Sequence, residues 1–267
     1  MAQRLVIDDR TCWLKRYGTR SRRLSLGMLD RAARALDIPA LRPPSHPGGE
    51  RAKALEKRRL SQLRDAAVIV PEVVGEGDAM LVLADIGRSV SSRLSSYHDD
   101  HGKRDDLLAS VVKAIADVHA KDGYLGQPTP RNIVTGSEGV GFIDFEEDPL
   151  EVMSLRQAQV RDWILFTHGA ARHYAAQTCK LAKLVGEGLA IAEEQVAEDV
   201  AAAGAQLAKI ETFVLPFGGR TGKLQLAIRA LRSITVILLL TTGGLLIDYL
   251  PDEDIDLFAW NLIGLFV

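Results

Sequence analysis

The sequence predicts an α+β fold in which a β-rich front, interrupted by a helical insertion, is followed by a helical back. Three observations carry this reading. Short runs rich in β-branched and aromatic residues fall before residue 86, apolar residues recur at helical spacing after residue 105, and a proline-rich tract separates two helical patterns in the front. With 267 residues, 47% of them hydrophobic and 25% charged, the chain is long enough for one large domain or two lobes, and its composition excludes disordered and fibrous classes.

The opening RLVI, an acidic pair and TCWLKRYG predict a β-hairpin whose second strand carries Trp13, Leu14 and Lys15, with Trp13 expected in the core. LSLGMLDRAARALD places Leu26, Leu29, Ala33 and Leu36 at helical spacing with Arg31 and Arg34 near the other face, a basic amphipathic helix. The tract PALRPPSHPGG must be a loop, with four prolines among its eleven residues. A second helix follows in ERAKALEKRRLSQLRDAA, where Ala52, Glu56, Leu60 and Leu63 share one side and Lys57, Arg58 and Arg59 largely do not.

VIVPEVV and AMLVLAD then read as two β-rich runs around a GEGD turn, ending in a hinge at Asp85 to Gly87. Beyond the hinge, DDLLASVVKAIADVHA is a helix with a buried stripe of Leu108, Val111, Ile115 and Val118. A loop with GQPTPRN and a short strand in VGFIDFEEDP follow. Residues 155–176 and about 183–211 read as two further helices. Residues 233–247 are uncharged for fifteen positions, short of the roughly 20 apolar residues that span a bilayer. They suit a buried core helix first, and an interfacial or spanning segment after that.

Cys12 and Cys179 form no metal-ligand spacing and no disulfide framework, and the six histidines include no HExxH or zinc-finger arrangement. Together with a charged rather than apolar start, this points to a cytoplasmic protein. The net charge of −2 conceals an imbalance: residues 15–64 hold fourteen Lys or Arg against four Asp or Glu, a local balance of +10. Such a field attracts an anionic partner, whether nucleotide, phosphorylated glycan, acidic lipid headgroup or nucleic acid, and predicts peripheral contact with the inner face of a membrane. No recognition helix or aromatic platform favours nucleic acid.

The constellation richest in chemistry is QPTPRN, with Asn132, followed twelve residues later by Asp144 at the end of a hydrophobic strand. An amide and a carboxylate from adjacent loops can coordinate a hard divalent cation through oxygen, and that cation can neutralise phosphate charge. On the front part, Glu56 on an otherwise apolar helix face is a costly placement unless paired, so a contact with Lys15 would be physically economical.

In order and spacing these residues resemble the protein-kinase-like fold, and more narrowly the bacterial lipopolysaccharide-kinase and RIO-like branch of small atypical kinases. The resemblance rests on WLKRYG with Lys15, EKRRL with Glu56, LGQPTPRN where that class carries HGDxxPxN, and IDFEEDP with Asp144, and it covers about residues 8–165. It implies a two-lobed fold over residues 1–267, with a reduced β-rich N-terminal lobe at 1–86 carrying the basic helical insertion 20–49, and a helical C-terminal lobe at 87–267. It further implies ATP and Mg²⁺ as cofactors, Lys15 as the phosphate-contacting lysine with Glu56 as its helix partner, Asn132 and Asp144 as metal ligands, and Asp162 and His119 as supports of the catalytic loop.

The sequence departs from that class at three points, the first being Leu125, which stands where the class carries a histidine. Gln127 stands where a catalytic aspartate is expected, and a glutamine amide cannot take a hydroxyl proton as a carboxylate does, although it can orient the hydroxyl. No GxGxxG precedes Lys15. Only seventeen residues separate Asp144 from Asp162, which leaves little room for an activation segment and favours a glycan, lipid headgroup or other small alcohol as acceptor. The expected function is therefore an ATP- and Mg²⁺-dependent phosphotransferase, and the alternative is a pseudokinase that binds or scaffolds without phosphotransfer.

Overall fold

The computed structural model describes residues 2–18, 30–31, 33–45, 47–214 and 228–231. Its front is a four-stranded antiparallel sheet of β1 (Ala2–Ile7), β2 (Arg10–Arg16), β3 (Val73–Gly77) and β4 (Met80–Ala84) in the order β1-β2-β4-β3. A two-residue turn joins β1 to β2, with Asp8 and Asp9 both at positive φ as the tightest hairpin turns require. In the register Trp13 faces Leu83 and Lys15 faces Leu81 across β4, so Trp13 and Lys15 project from the same face of β2. Helix α1 (Gly49–Asp65) covers the sheet and buries Ala52, Leu55, Glu56, Arg59, Leu60 and Leu63.

Several elements differ from the sequence reading. The first β-rich run starts later than VIVPEVV suggests: Val68 and Val70 are buried in extended chain, and pairing begins at Val73, beyond Pro71, which lacks the N–H a ladder needs. Trp13 is not core; it is 38% exposed. Arg59 does lie on the buried face of α1, because its guanidinium donates to the Tyr124 carbonyl at 2.7 Å and stacks on the Tyr124 ring.

The chain leaves the sheet through Asp85–Gly87. Gly87 has φ +135°, and a Cβ there would collide with the carbonyl of Thr135, so the crossing lies tight against a second, three-stranded sheet of β5 (Arg88–Ser89), β6 (Ile133–Gly136) and β7 (Gly139–Phe142). The back is helical: α2 (Val90–Ser96), α3 (His101–His119), α4 (Leu155–Ala171), α5 (Thr178–Leu189) and α6 (Glu194–Val214). Helix α3 packs on α5, and α4 on α5 and α6, around Leu108, Ile115, Trp163, Phe166, Leu181 and Val200. Ser154 and Gln157 form a reciprocal capping box that starts α4.

Two of the expected helices end early. The 155–176 helix stops at Ala171 and continues as a 3₁₀ turn over Arg172–Tyr174, and the 183–211 helix is two helices separated by Ala190–Glu193. The mixed α+β class with a small antiparallel sheet and a helical region is as expected. The basic helix of 24–37 lies partly, and the uncharged 233–247 segment wholly, outside the described residues. Among the described residues no helix is long and apolar enough to cross a membrane.

The end of the insertion, a 3₁₀ turn at Pro39–Leu41, docks on α4 rather than on the sheet. Arg161, buried in α4, donates to the carbonyls of Ala40, Arg42 and Gly126 and ties the insertion to the loop before β6. Much of the basic charge counted in residues 15–64 is paired within the fold: Arg34 and Arg42 with Asp30, Lys53 with Glu50, Lys57 with Glu76, Arg58 with Asp148.

Candidate functional site

A cleft of about 610 Å³ opens between the four-stranded sheet and the β5–β7 sheet. Its apolar walls include Trp13, Leu83, Ile86, Val134 and Ile143, and its polar end is built by Lys15, Glu56, Asn132, Asp144 and Glu146. Apolar walls with a few convergent polar groups are the ordinary make-up of a small-molecule site.

Lys15 is the hub of the polar end. Its Nζ lies 2.7 Å from Glu56 Oε2, 2.7 Å from Asp144 Oδ1 and 3.0 Å from Glu146 Oε1. Burial pulls the lysine pKa down, but the three carboxylates outweigh it and hold the ammonium above the usual lysine range. Glu56 reaches the lysine from α1, where it is 0% exposed. It also accepts from the Tyr17 hydroxyl at 2.7 Å and from the Phe145 N–H at 3.4 Å. Burial pushes the Glu56 carboxyl up, against the opposing pull of Lys15 and Tyr17. Burial, reinforced by the Glu56 charge, likewise raises the Tyr17 phenol.

Asp144 follows β7 with φ +75°, an uncommon conformation for a residue with a side chain, and this turn carries its carboxylate into the cleft beside Lys15. Asn132 precedes β6, is buried, and donates from Nδ2 to the Gln127 carbonyl at 3.1 Å. The backbone N–H of Ile143 donates to the Asn132 carbonyl at 2.9 Å, so the two loops are stitched side by side.

Beneath them, Asp162 on α4 is 0% exposed. It accepts the backbone N–H of Leu125 at 2.6 Å and of Gly126 at 2.7 Å, and His119 Nε2 lies 3.1 Å from the same carboxylate. These bonds fix the loop that leads into Gln127. The Gln127 amide donates to the Glu147 carboxylate. Neither Gln127 nor Glu147 is among the cleft walls.

Of the residues singled out from sequence, Lys15, Glu56, Asn132 and Asp144 therefore meet in one cleft, Gln127 is joined to it through Asn132, and Asp162 and His119 form a pair below it. Sequence reasoning missed Glu146 as a contact of Lys15 and Trp13 as a cleft wall. The alternation of β2 carried a signal for Trp13, which shares a strand face with Lys15. Among the described residues no group of three or more His, Cys, Asp or Glu is arranged to hold a metal ion by itself.

No model of a known protein family matches the chain. An uncharacterized protein of Haemophilus influenzae is 31% identical to it over 87 residues, which is 33% of this chain. The match spans about a third, 36%, of that relative's length.

Proposed function

We propose that the chain is a phosphotransferase that uses ATP and Mg²⁺ and delivers the γ-phosphoryl group to a hydroxyl of a glycan, lipid headgroup or other small alcohol. The observation that carries the proposal is that Lys15, held at 2.7 Å by the buried Glu56, shares one cleft with Asn132 and Asp144. The apolar walls suit a nucleobase, and the polar end suits a polyphosphate.

The donor set fits a hard cation. Asp144 and Glu146 offer carboxylate oxygens and Asn132 an amide, and one ammonium against three carboxylates leaves the polar end with surplus negative charge. When bound there, Mg²⁺ supplies charge neutralisation to the transferring phosphoryl group. Lys15 orients the polyphosphate, Glu56 holds Lys15 in place, and Asp162 and His119 keep the Leu125–Gln127 loop in register. In the transfer, the bond from the γ-phosphorus to its bridging oxygen breaks and the acceptor oxygen bonds to phosphorus, giving ADP, a phosphate ester and a proton. Gln127 orients the acceptor hydroxyl, and Glu147, the carboxylate that Gln127 contacts, takes the proton that an amide cannot.

A second reading, a binding module without phosphotransfer, is favoured by two features. The β1–β2 turn has two residues and provides no glycine loop over the phosphates, and Gln127 and Glu147 stand outside the cleft walls. Incubation with γ-labelled ATP and a panel of membrane glycolipids and small alcohols separates the readings. Transfer that is lost in Asp144→Asn supports the phosphotransferase. Thermal stabilisation by nucleotide without any transfer supports the binding module, and undiminished turnover in Asp144→Asn removes Asp144 from the mechanism.

A further inference from the structure

Three carboxylates crowd Lys15 before any ligand arrives, and Asp144 accepts a hydrogen bond from it. A lysine ammonium carries three donors. Glu56, Asp144 and Glu146 stand at 2.7, 2.7 and 3.0 Å from it. A phosphate oxygen that approaches Lys15 competes with these three carboxylates for it.

The three do not yield equally. The side chain of Glu56 is 1% exposed and is held in addition by Tyr17 and Phe145, so it stays. The side chains of Asp144 and Glu146 are 39% and 24% exposed and face the cleft. With both on Lys15 the polar end repels an anion. A divalent cation in the cleft matches the charge of these two carboxylates and gives them a competing partner, which releases donors of Lys15 toward a phosphate.

Resting on the reading of this cleft as a polyphosphate site, we propose that Glu146 is a gate. Its carboxylate stands against Lys15 so that a polyphosphate ligand is admitted only together with a divalent cation. Binding of the cation and of the anion is then mutually reinforcing, each raising the affinity for the other by the same factor. Asp144 and Glu146 both contribute to this coupling and both belong to the proposed donor set. Glu146 follows Phe145 in the acidic turn, and its effect as a gate is read in EDTA, where no cation is held.

The test is calorimetric titration of ATP, and separately of inorganic tripolyphosphate, into wild type, Glu146→Gln and Glu146→Ala, each in EDTA and in Mg²⁺. Thermal unfolding of each variant verifies the fold. Wild type is expected to bind at least about thirtyfold more weakly in EDTA than in Mg²⁺. Glu146→Ala should tighten binding in EDTA by about tenfold and shrink the Mg²⁺ dependence accordingly, with Glu146→Gln, which keeps an acceptor oxygen but no charge, between the two. An unchanged ratio of the two affinities in both variants overturns the gate. Tripolyphosphate binding that follows this pattern without any ATP binding leaves the gate standing and removes the nucleotide reading. Absence of polyphosphate binding in folded Glu146→Ala, in EDTA and in Mg²⁺, overturns both.

Discussion

Glu56 and Asp162 are both fully buried carboxylates, one on the helix behind the front sheet and one in the helical back, and they are satisfied in opposite ways. Asp162 is met by two backbone N–H groups and a buried imidazole, all contributed by the segment from α3 to the loop beyond it. Its partners are not cleft walls, and nothing in their arrangement has an obvious second state. Glu56 is met by an ammonium, a phenol and a more distant N–H, and the ammonium itself faces the cleft with two further carboxylates on it. One carboxylate closes a loop; the other anchors a charge that a ligand can use. The contrast separates a carboxylate that holds a charge at the cleft from one that holds only a loop.

The largest expected effect breaks the closed network. Asp162→Ala leaves the Leu125 and Gly126 N–H groups buried without their acceptor, and should cost about 4 kcal/mol of unfolding free energy, measured by urea denaturation. Glu56→Ala should cost less, about 2 kcal/mol, because Lys15 keeps Asp144 and Glu146 and the burial penalty of the carboxylate disappears with it. Equal losses for the two variants would erase the distinction between an anchor and a site.

A smaller effect tests whether protons act at the rim of the helical back. Burial, with Arg172 and Arg104 beside it, lowers the His173 pKa from 6.5 to about 4. Between those values the unfolded chain takes up a proton that the folded chain does not, so stability declines as pH falls from 6.5 toward 4. Urea titrations at pH 7 and pH 5 should show the decline, and His173→Gln should flatten it. An unaltered slope in that variant places the titration elsewhere.

How much of this was legible in the sequence follows the same division. The α3 stripe, the first hairpin and the pairing of Glu56 with Lys15 could be read because each rests on local periodicity or on the need of one buried charge for another. The break at Ala190–Glu193 was not legible, because the alanine- and glutamate-rich run there carries no proline; on either side of it Leu189 and Val196 are buried in the core. Arg59 was misplaced because its burial depends on Tyr124, sixty-five positions away, whose carbonyl and ring receive it. Trp13 was assigned to the core by residue type, whereas the cleft beside β2 leaves it half-exposed. The contact of Glu146 with Lys15 could not be read from the sequence, because the two residues lie 131 positions apart and meet only at the cleft. The local balance of +10 suggested an open basic surface, yet some of those cations pair with acids distant in sequence, as Lys57 does with Glu76 and Arg58 with Asp148.

The most direct test of the central claim is calorimetric titration of Mg²⁺ and ATP together into wild type and Lys15→Met, with circular dichroism verifying that the variant is folded. Saturable binding to wild type, weakened at least tenfold in Lys15→Met, is the predicted result. Equal affinity in the two proteins, or no binding to wild type, would contradict a polyphosphate site organised by Lys15.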